Sequence, residues 1–265
     1  MRKLISGVLA ALVLAALPAI ALGSAGTTKG VVPAADADLD GAVRQLTVGD
    51  DIFIGDKVNT GAKGQVEILF DDNTKLVVGP HTTLAIDDYL LRNNGDPGKL
   101  VVDVLSGSFR FATGNSPKTS YEINTPTGTI GVRGTWFDGF VTPTVTRILH
   151  YEGIVLFKAK GAKTWTELHD LCTLGEITNA ATILGNTEDM TNQIRNHLRG
   201  EFMYADNQSR LHRPFWYLPS YDCLHRKVDA PPEGPHDHGP KPDPVKPADP
   251  GPIFYVGRGC LSHVC

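Results

Sequence analysis

Thr125 to Phe137 reads T-P-T-G-T-I-G-V-R-G-T-W-F, which sets Gly128, Gly131 and Gly134 at strict three-residue intervals among β-branched and aromatic residues. Glycine in a strand interior costs stability and marks a bulge, a sharp bend or a close approach of two backbones. Ile130, Val132, Trp136 and Phe137 are strand formers, so the spacing predicts a strand that bends while it stays buried. Arg133 is the lone charge of the run. It is solvated, paired with a carboxylate, or placed to bind an anion.

The flanking sequence repeats short apolar alternations between turn clusters. In Gln65 to Phe70, Val66, Ile68 and Phe70 share one face and Gln65 and Glu67 share the other, a period of two. Asp71-Asp72-Asn73 turns the chain into Lys75 to Val78, and Asn93-Asn94-Gly95-Asp96-Pro97-Gly98 is a second strong turn. Leu100 to Leu105 with Phe109 and Phe111 gives two more strands around Gly107. Many short strands and no helix over residues 41 to 160 predict a mainly β fold. Local pattern does not choose among sandwich, barrel and short solenoid.

These motifs together resemble the FecR domain family. Its late segment has the form TP-x-G-x-hydrophobic-hydrophobic-VRGT-x-F, which Gly128, Gly131, Arg133, Gly134, Thr135 and Phe137 match as structural motif positions. Val48-Gly49-Asp50, Ile54-Gly55-Asp56-Lys57-Val58, Thr60-Gly61 and Val66 to Leu76 are similar to its opening run. Val104 to Phe109 and His150 to Val155 are similar to its two G-x-hydrophobic strands. Asn73 stands where the family often has glycine, a mild departure because asparagine also tolerates positive φ. The resemblance spans about residues 45 to 158 and implies a β-solenoid-like or jelly-roll-like stack of twisted strands.

The remaining chain divides by composition. Arg2 and Lys3, the apolar run Leu4 to Leu17, and small residues before Ala21 or Ala25 read as a secretory signal peptide over residues 1–25. An uncleaved membrane anchor is the alternative. Residues 26–44 are small and acidic and read as a flexible lead-in to a β-domain at 45–160. A mixed extension follows at 161–228, with a helix about 187–199 capped by Asn186, carrying Met190, Ile194 and Leu198 on one face and ended by Gly200. From Asp229 to Pro252, nine of twenty-four residues are proline, a stiff linker of up to ~75 Å at ~3.1 Å per residue. A tail with cysteines closes the chain at 253–265.

Four cysteines, Cys172, Cys223, Cys260 and Cys265, in an exported chain point to disulfides, and the favoured pairing is Cys172 with Cys223 and Cys260 with Cys265. No C-x-x-C pair is present to form a zinc ribbon. His236 and His238 are too few to hold a transition metal well, and loop acids Asp50, Asp51, Asp56, Asp71 and Asp72 read as solvated turn residues, with a calcium site as the alternative. The sequence carries no nucleophile elbow, zinc-protease helix or phosphate loop. No catalytic residue, metal site or cofactor is therefore expected. A net charge of -4 gives no basic field for nucleic acid.

The expected function is a non-catalytic binding, signalling or scaffold module of the bacterial envelope, periplasmic or secreted, with other envelope proteins as partners. Membrane contact is expected only if the N-terminal segment stays uncleaved. The resemblance implies that full FecR-family members place a cytoplasmic anti-sigma segment and a membrane span before this domain, and no room is expected here for that cytoplasmic part. The alternative is a glycan or surface-polymer binder that stacks sugars on Tyr204, Phe215, Trp216 and Tyr217; those aromatics also read as packing residues. An enzyme with an unrecognised site is the third class. Exposed strand edges make backbone pairing with an incoming segment physically available.

Overall fold

The computed structural model describes residues 23–91, 97–117, 121–217 and 223–225. Their strands are β1 (Ser24–Val32), β2 (Ala35–Leu39), β3 (Ala42–Gln45), β4 (Asp51–Phe53), β5 (Lys57–Thr60), β6 (Gln65–Phe70), β7 (Lys75–Val78) and β8 (Thr83–Leu91). The series continues with β9 (Pro97–Ala112), β10 (Tyr121–Asn124), β11 (Gly128–Val141), β12 (Thr146–Ala159), β13 (Thr166–Leu168), β14 (Thr173–Ile177) and β15 (Ala181–Asn186). One helix, α1 (Asn192–Glu201), follows. All fifteen strands join one hydrogen-bonded sheet, whose longest path runs β15-β14-β12-β11-β10-β9-β7-β6-β1-β4. The fold is mainly β, as the sequence predicts.

Three long strands organise the sheet, and each bends once. Along β9, Leu100, Val102 and Val104 face the core before Gly107, and Phe109 and Phe111 face it after. Along β11 the core residues are Ile130 and Val132, then Phe137 and Val141. Even positions give way to odd ones, so each strand must gain a residue at the bend, or its second half would turn its apolar set to solvent. The β11–β12 register shifts between Arg133 and Trp136, where Gly134 and Gly153 have φ of 66° and 80°. A Cβ on Gly153 would collide with the carbonyl oxygen of Gly134, so the two strands approach this closely at the bend because Gly153 has no side chain. β10 fills the gap on one side of the bend, parallel to β9 and antiparallel to β11.

The sheet extends beyond the expected β-domain in both directions. Residues 26–44, expected as a flexible lead-in, form most of β1 to β3 instead. Ala25, Ala35 and Ala37 are buried, and β1 is hydrogen-bonded along β6. After residue 160, β13 to β15 add to β12. The helix begins later than its sequence pattern suggests because Asn186 caps a separate turn at Thr187–Asp189, and Thr191 is the residue that caps α1. That rotation buries Arg195 and Leu198 and leaves Ile194 exposed. The Pro-rich linker, His236, His238, Cys260, Cys265 and residues 1–22 of the expected signal segment lie outside the described residues, while its last two residues, Ser24 and Ala25, begin β1.

One row of side chains crosses six strands on the face opposite the main core: Glu67, Val77, Arg110, Asp138, Leu149 and Leu174 are successive cross-strand partners. The segment from α1 to Tyr217 covers this row. Phe202, Tyr204, Leu211 and Phe215 supply the apolar cover. Arg110 donates through Nε and Nη2 to Asp138 at 2.6 and 3.0 Å, through Nη1 to Gln208 Oε1 at 2.5 Å, and through Nη2 to the Tyr204 carbonyl at 3.0 Å.

At the other end of the row the buried Glu67 carboxylate accepts from the His212 backbone N–H and from Gln65 Nε2, and lies 3.1 Å from His212 Nδ1. Burial pushes the Glu67 pKa up, and its bonds to His212 offset this only in part. A carboxyl whose pKa is raised by folding contributes stability that is full below its unfolded pKa and is lost as pH rises through the folded value. Glu67→Gln is therefore expected to match the native protein below about pH 4 and to melt higher than it at neutral pH. Melting curves of both proteins across pH check this; a variant that melts lower at pH 7 than the native protein would contradict it.

Candidate functional site

A second cross-strand row, Val101, Glu122, Gly131, Leu156 and Glu167, runs over β9, β10, β11, β12 and β13. The C-terminal segment does not cover this part of the sheet. Gly131 has no side chain, so the row sinks there into an open depression of about 320 Å³ lined by Glu122, Arg133, Leu156, Trp165 and Glu167 among others. A Cβ on Gly131 would make only ordinary contacts with Leu156 and Trp165. This glycine therefore shapes a surface, whereas a Cβ on Gly128 would collide with the Lys158 carbonyl. The three evenly spaced glycines do three different jobs.

Arg133 stands at the crest of the β11 bend, exposed, and among the described residues it has no hydrogen-bond or ion-pair partner. Of the readings open from sequence, pairing with a carboxylate is thus absent among the described residues. Its cross-strand neighbour Ile154 is 37% exposed, and Trp165, in the turn before β13, is 43% exposed. Lys158 Nζ sits 4.4 Å from the centre of the Trp165 ring, and Lys99 Nζ lies 3.7 Å from Glu122. The depression therefore offers one uncompensated guanidinium, a large apolar ring and two carboxylates at its sides. A guanidinium fork and an aromatic face suit a ligand with a planar anionic group next to an apolar one.

The other motif residues are structural. Thr135 is buried, its N–H donates to Thr113 Oγ1 at 3.0 Å, and Phe137 packs edge-on to Phe109 with centroids 5.8 Å apart. Of the loop acids, Asp51 and Asp71 are exposed as their positions suggest, whereas Asp56 and Asp72 are buried. Asp56 is buried in the fork of Arg44, with contacts at 2.7 and 2.5 Å. Asp72 accepts from the Thr74 N–H, from Thr74 Oγ1, from Tyr121 OH at 2.7 Å and from Ser116 Oγ. Protein donors occupy these oxygens. Among the described residues no group of three or more His, Cys, Asp or Glu is placed to hold a metal ion.

The aromatic run proposed as a sugar platform is taken up by packing. Tyr204 and Phe215 are buried, Trp216 Nε1 donates to the Leu211 carbonyl at 2.7 Å, and Tyr217 stacks on Trp136 and Tyr151 at 5.2 and 5.7 Å. Cys172 and Cys223 are joined by a disulfide, with their Cα atoms 5.0 Å apart. Sequence reasoning missed Trp165, Lys158, Glu122 and Glu167 as members of one surface. They come from three separate segments, and only the strand register brings them together.

Among the described residues no helix is long and apolar enough to cross a membrane. No curated protein matches the chain. Two crystal structures of a "putative anti-sigma factor" from Parabacteroides distasonis ATCC 8503 are similar to it, each at 12% identity and a TM-score of 0.39. The matches cover 49% and 52% of this chain, which spans 59% and 64% of theirs. The bend of β11 and Arg133 fall inside residues 56–156, the stretch that matches the family model described as FecR protein.

Proposed function

We propose that the protein is a non-catalytic binding module of the bacterial cell envelope, exported by its N-terminal leader, that captures an acidic segment of another envelope protein on the open face at Arg133. The observation that carries this reading is that Arg133, exposed and without an ion-pair partner among the described residues, and the exposed Trp165 line one open depression. Elsewhere in the sheet the buried cations Arg110 and Arg195 and the half-buried Arg44 and Arg147 are held by acceptors of the chain itself. An exposed arginine next to an exposed tryptophan is the pairing that most often dominates binding energy at interfaces. The FecR domain supports a signalling or regulatory purpose for that capture, and the disulfide suits an oxidising compartment outside the cytoplasm.

The test is crosslinking in intact cells followed by recovery of the protein and its partner. Arg133→Ala and Trp165→Ala are each expected to reduce partner recovery about tenfold or more. Both side chains are on the surface, so the melting temperature should not change beyond what is usual for exposed positions. Native recovery from both variants would sink the reading. Measurable turnover of a substrate by the purified protein would sink the non-catalytic part of it.

A further inference from the structure

Arg133 is one of two open charges on the depression. Glu167, on β13, is exposed and lines the same hollow, and like Arg133 it has no hydrogen-bond or ion-pair partner among the described residues. The other carboxylate of the lining, Glu122, is partly compensated by Lys99 at 3.7 Å. A free cation and a free anion thus share one surface without meeting.

The strand register sets their separation. Arg133 lies opposite Ile154, and Leu156 lies opposite Glu167, so the two charges stand two strands and two residues apart on one face. At ~4.8 Å per strand and ~3.3 Å per residue, their Cα atoms are ~12 Å apart. The diagonal between them crosses β12 at Ile154 and Leu156. Beside it the Trp165 ring edge, Cη2 and Cζ3, lies 3.8 Å from where a Cβ of Gly131 would stand. The floor between the two charges is therefore apolar.

We propose that the segment captured at Arg133 is dipolar: an extended stretch with an acid for Arg133, a base for Glu167 four residues away, and an apolar side chain midway between them. This rests on the reading of Arg133 as a capture site and names the chemistry of its ligand. A segment with acids alone would satisfy Arg133 but set a like charge against Glu167, and a segment with bases alone would reverse the fault; like charges facing each other across an interface cost affinity. An extended chain puts every second side chain on one face and spans ~13 Å over four residues, which matches the separation of the two charges. The acid then takes charge-assisted bonds from the guanidinium, and the apolar side chain covers Ile154 and Leu156 beside Trp165.

Glu167→Lys separates the dipolar ligand from a purely acidic one by the sign of its effect. In the intact-cell crosslinking, partner recovery is expected to fall about tenfold or more, with the melting temperature kept because the side chain is exposed; a purely acidic segment would be recovered better. The purified protein is also titrated by NMR with capped peptides Glu-Thr-Phe-Thr-Lys, its reverse, and Glu-Thr-Phe-Thr-Glu, each up to about 1 mM. A peptide with both charges is expected to shift the Gly131 amide and the Trp165 indole N–H more than the all-acidic peptide does, and Glu167→Lys is expected to invert that preference. Unchanged or raised recovery in Glu167→Lys, a preference of the native protein for the all-acidic peptide, or binding of none of the three would each overturn the dipolar ligand, while loss of recovery in Arg133→Ala would still support capture at that residue. Native recovery from both Arg133→Ala and Trp165→Ala would remove the capture reading and this one with it.

Discussion

Arg110→Ala is expected to destabilise the protein by about 3–5 kcal/mol and to lower its melting temperature by about 10 °C. Arg110 and Asp138 are each 1% exposed, and removing the cation leaves a carboxylate buried with Tyr151 OH, at 2.7 Å, as its remaining side-chain donor. Burial alone would lower the Arg110 pKa, but Asp138 and then Tyr151 outweigh it, so the guanidinium is held above its usual range. Burial first, and the Asp138 charge second, keep the Tyr151 phenol protonated and well above its usual pKa, which leaves it a donor at every working pH. Asp138→Ala should cost a similar amount, because it strands the cation. Arg110→Met combined with Asp138→Leu should recover much of the loss, since an apolar pair of similar size replaces both charges. Urea unfolding of the four proteins measures the coupling. Costs that simply add would show that the two groups do not act as a pair.

The same pair explains why part of the fold could not be read from the sequence. Arg110 and Asp138 are 28 residues apart, and nothing local marks either as buried. They meet because β9 and β11 both gain a residue at their bends, which turns the two polar side chains to the face that Tyr204 and Gln208 cover. The bend itself was legible at Gly134, where the backbone takes a positive φ of 66° that glycine adopts at little cost. The depression at Gly131 was not, because its walls come from Glu122, Leu156 and Trp165 on other segments. Trp165 sits in a polar turn where a lone aromatic says nothing about its neighbours.

The first strands were missed for a different reason. Ala35-Asp36-Ala37-Asp38 does alternate, with the alanines buried and the aspartates facing outward. Alanine and aspartate are both poor strand formers, so propensity masked a period that tertiary pairing with β5 enforces. On α1 the misplaced start has a similar origin. Asn186 has the chemistry of a cap and uses it, but for the preceding turn, and an apolar stripe counted from there is rotated away from the face that packs.

Breaking the Cys172–Cys223 bond is expected to cost about 4 kcal/mol, the loop-closure value for a separation of this size. The separation is 51 residues. That loop contains β14, β15, α1 and the whole cover over Arg110 and Glu67, so the cross-link restricts the unfolded chain where the folded one is held by many separate contacts. Residues 223–225 are also held by packing and hydrogen bonds, with Leu224 buried in the cluster that contains Leu198 and Phe202. Thr187 Oγ1 donates to the Cys223 carbonyl at 2.6 Å, and Arg199 donates to the Leu224 carbonyl at 3.0 and 2.5 Å. In a Cys172→Ser, Cys223→Ser protein these bonds and the buried Leu224 side chain hold the segment without the cross-link, each hydrogen bond worth about 1 kcal/mol for a neutral donor and up to about 3 for the guanidinium. The sheet should keep its circular dichroism, while the melting temperature falls by about 10 °C. Amide exchange should quicken first around Thr187 and Arg199, because a lost tether at one end of a cover frees that end before the rows beneath it open. A double variant that melts with the native protein would mean that the hydrogen bonds of Thr187 and Arg199 already fix the segment, and that the bond adds only a covalent record of a contact the fold makes without it.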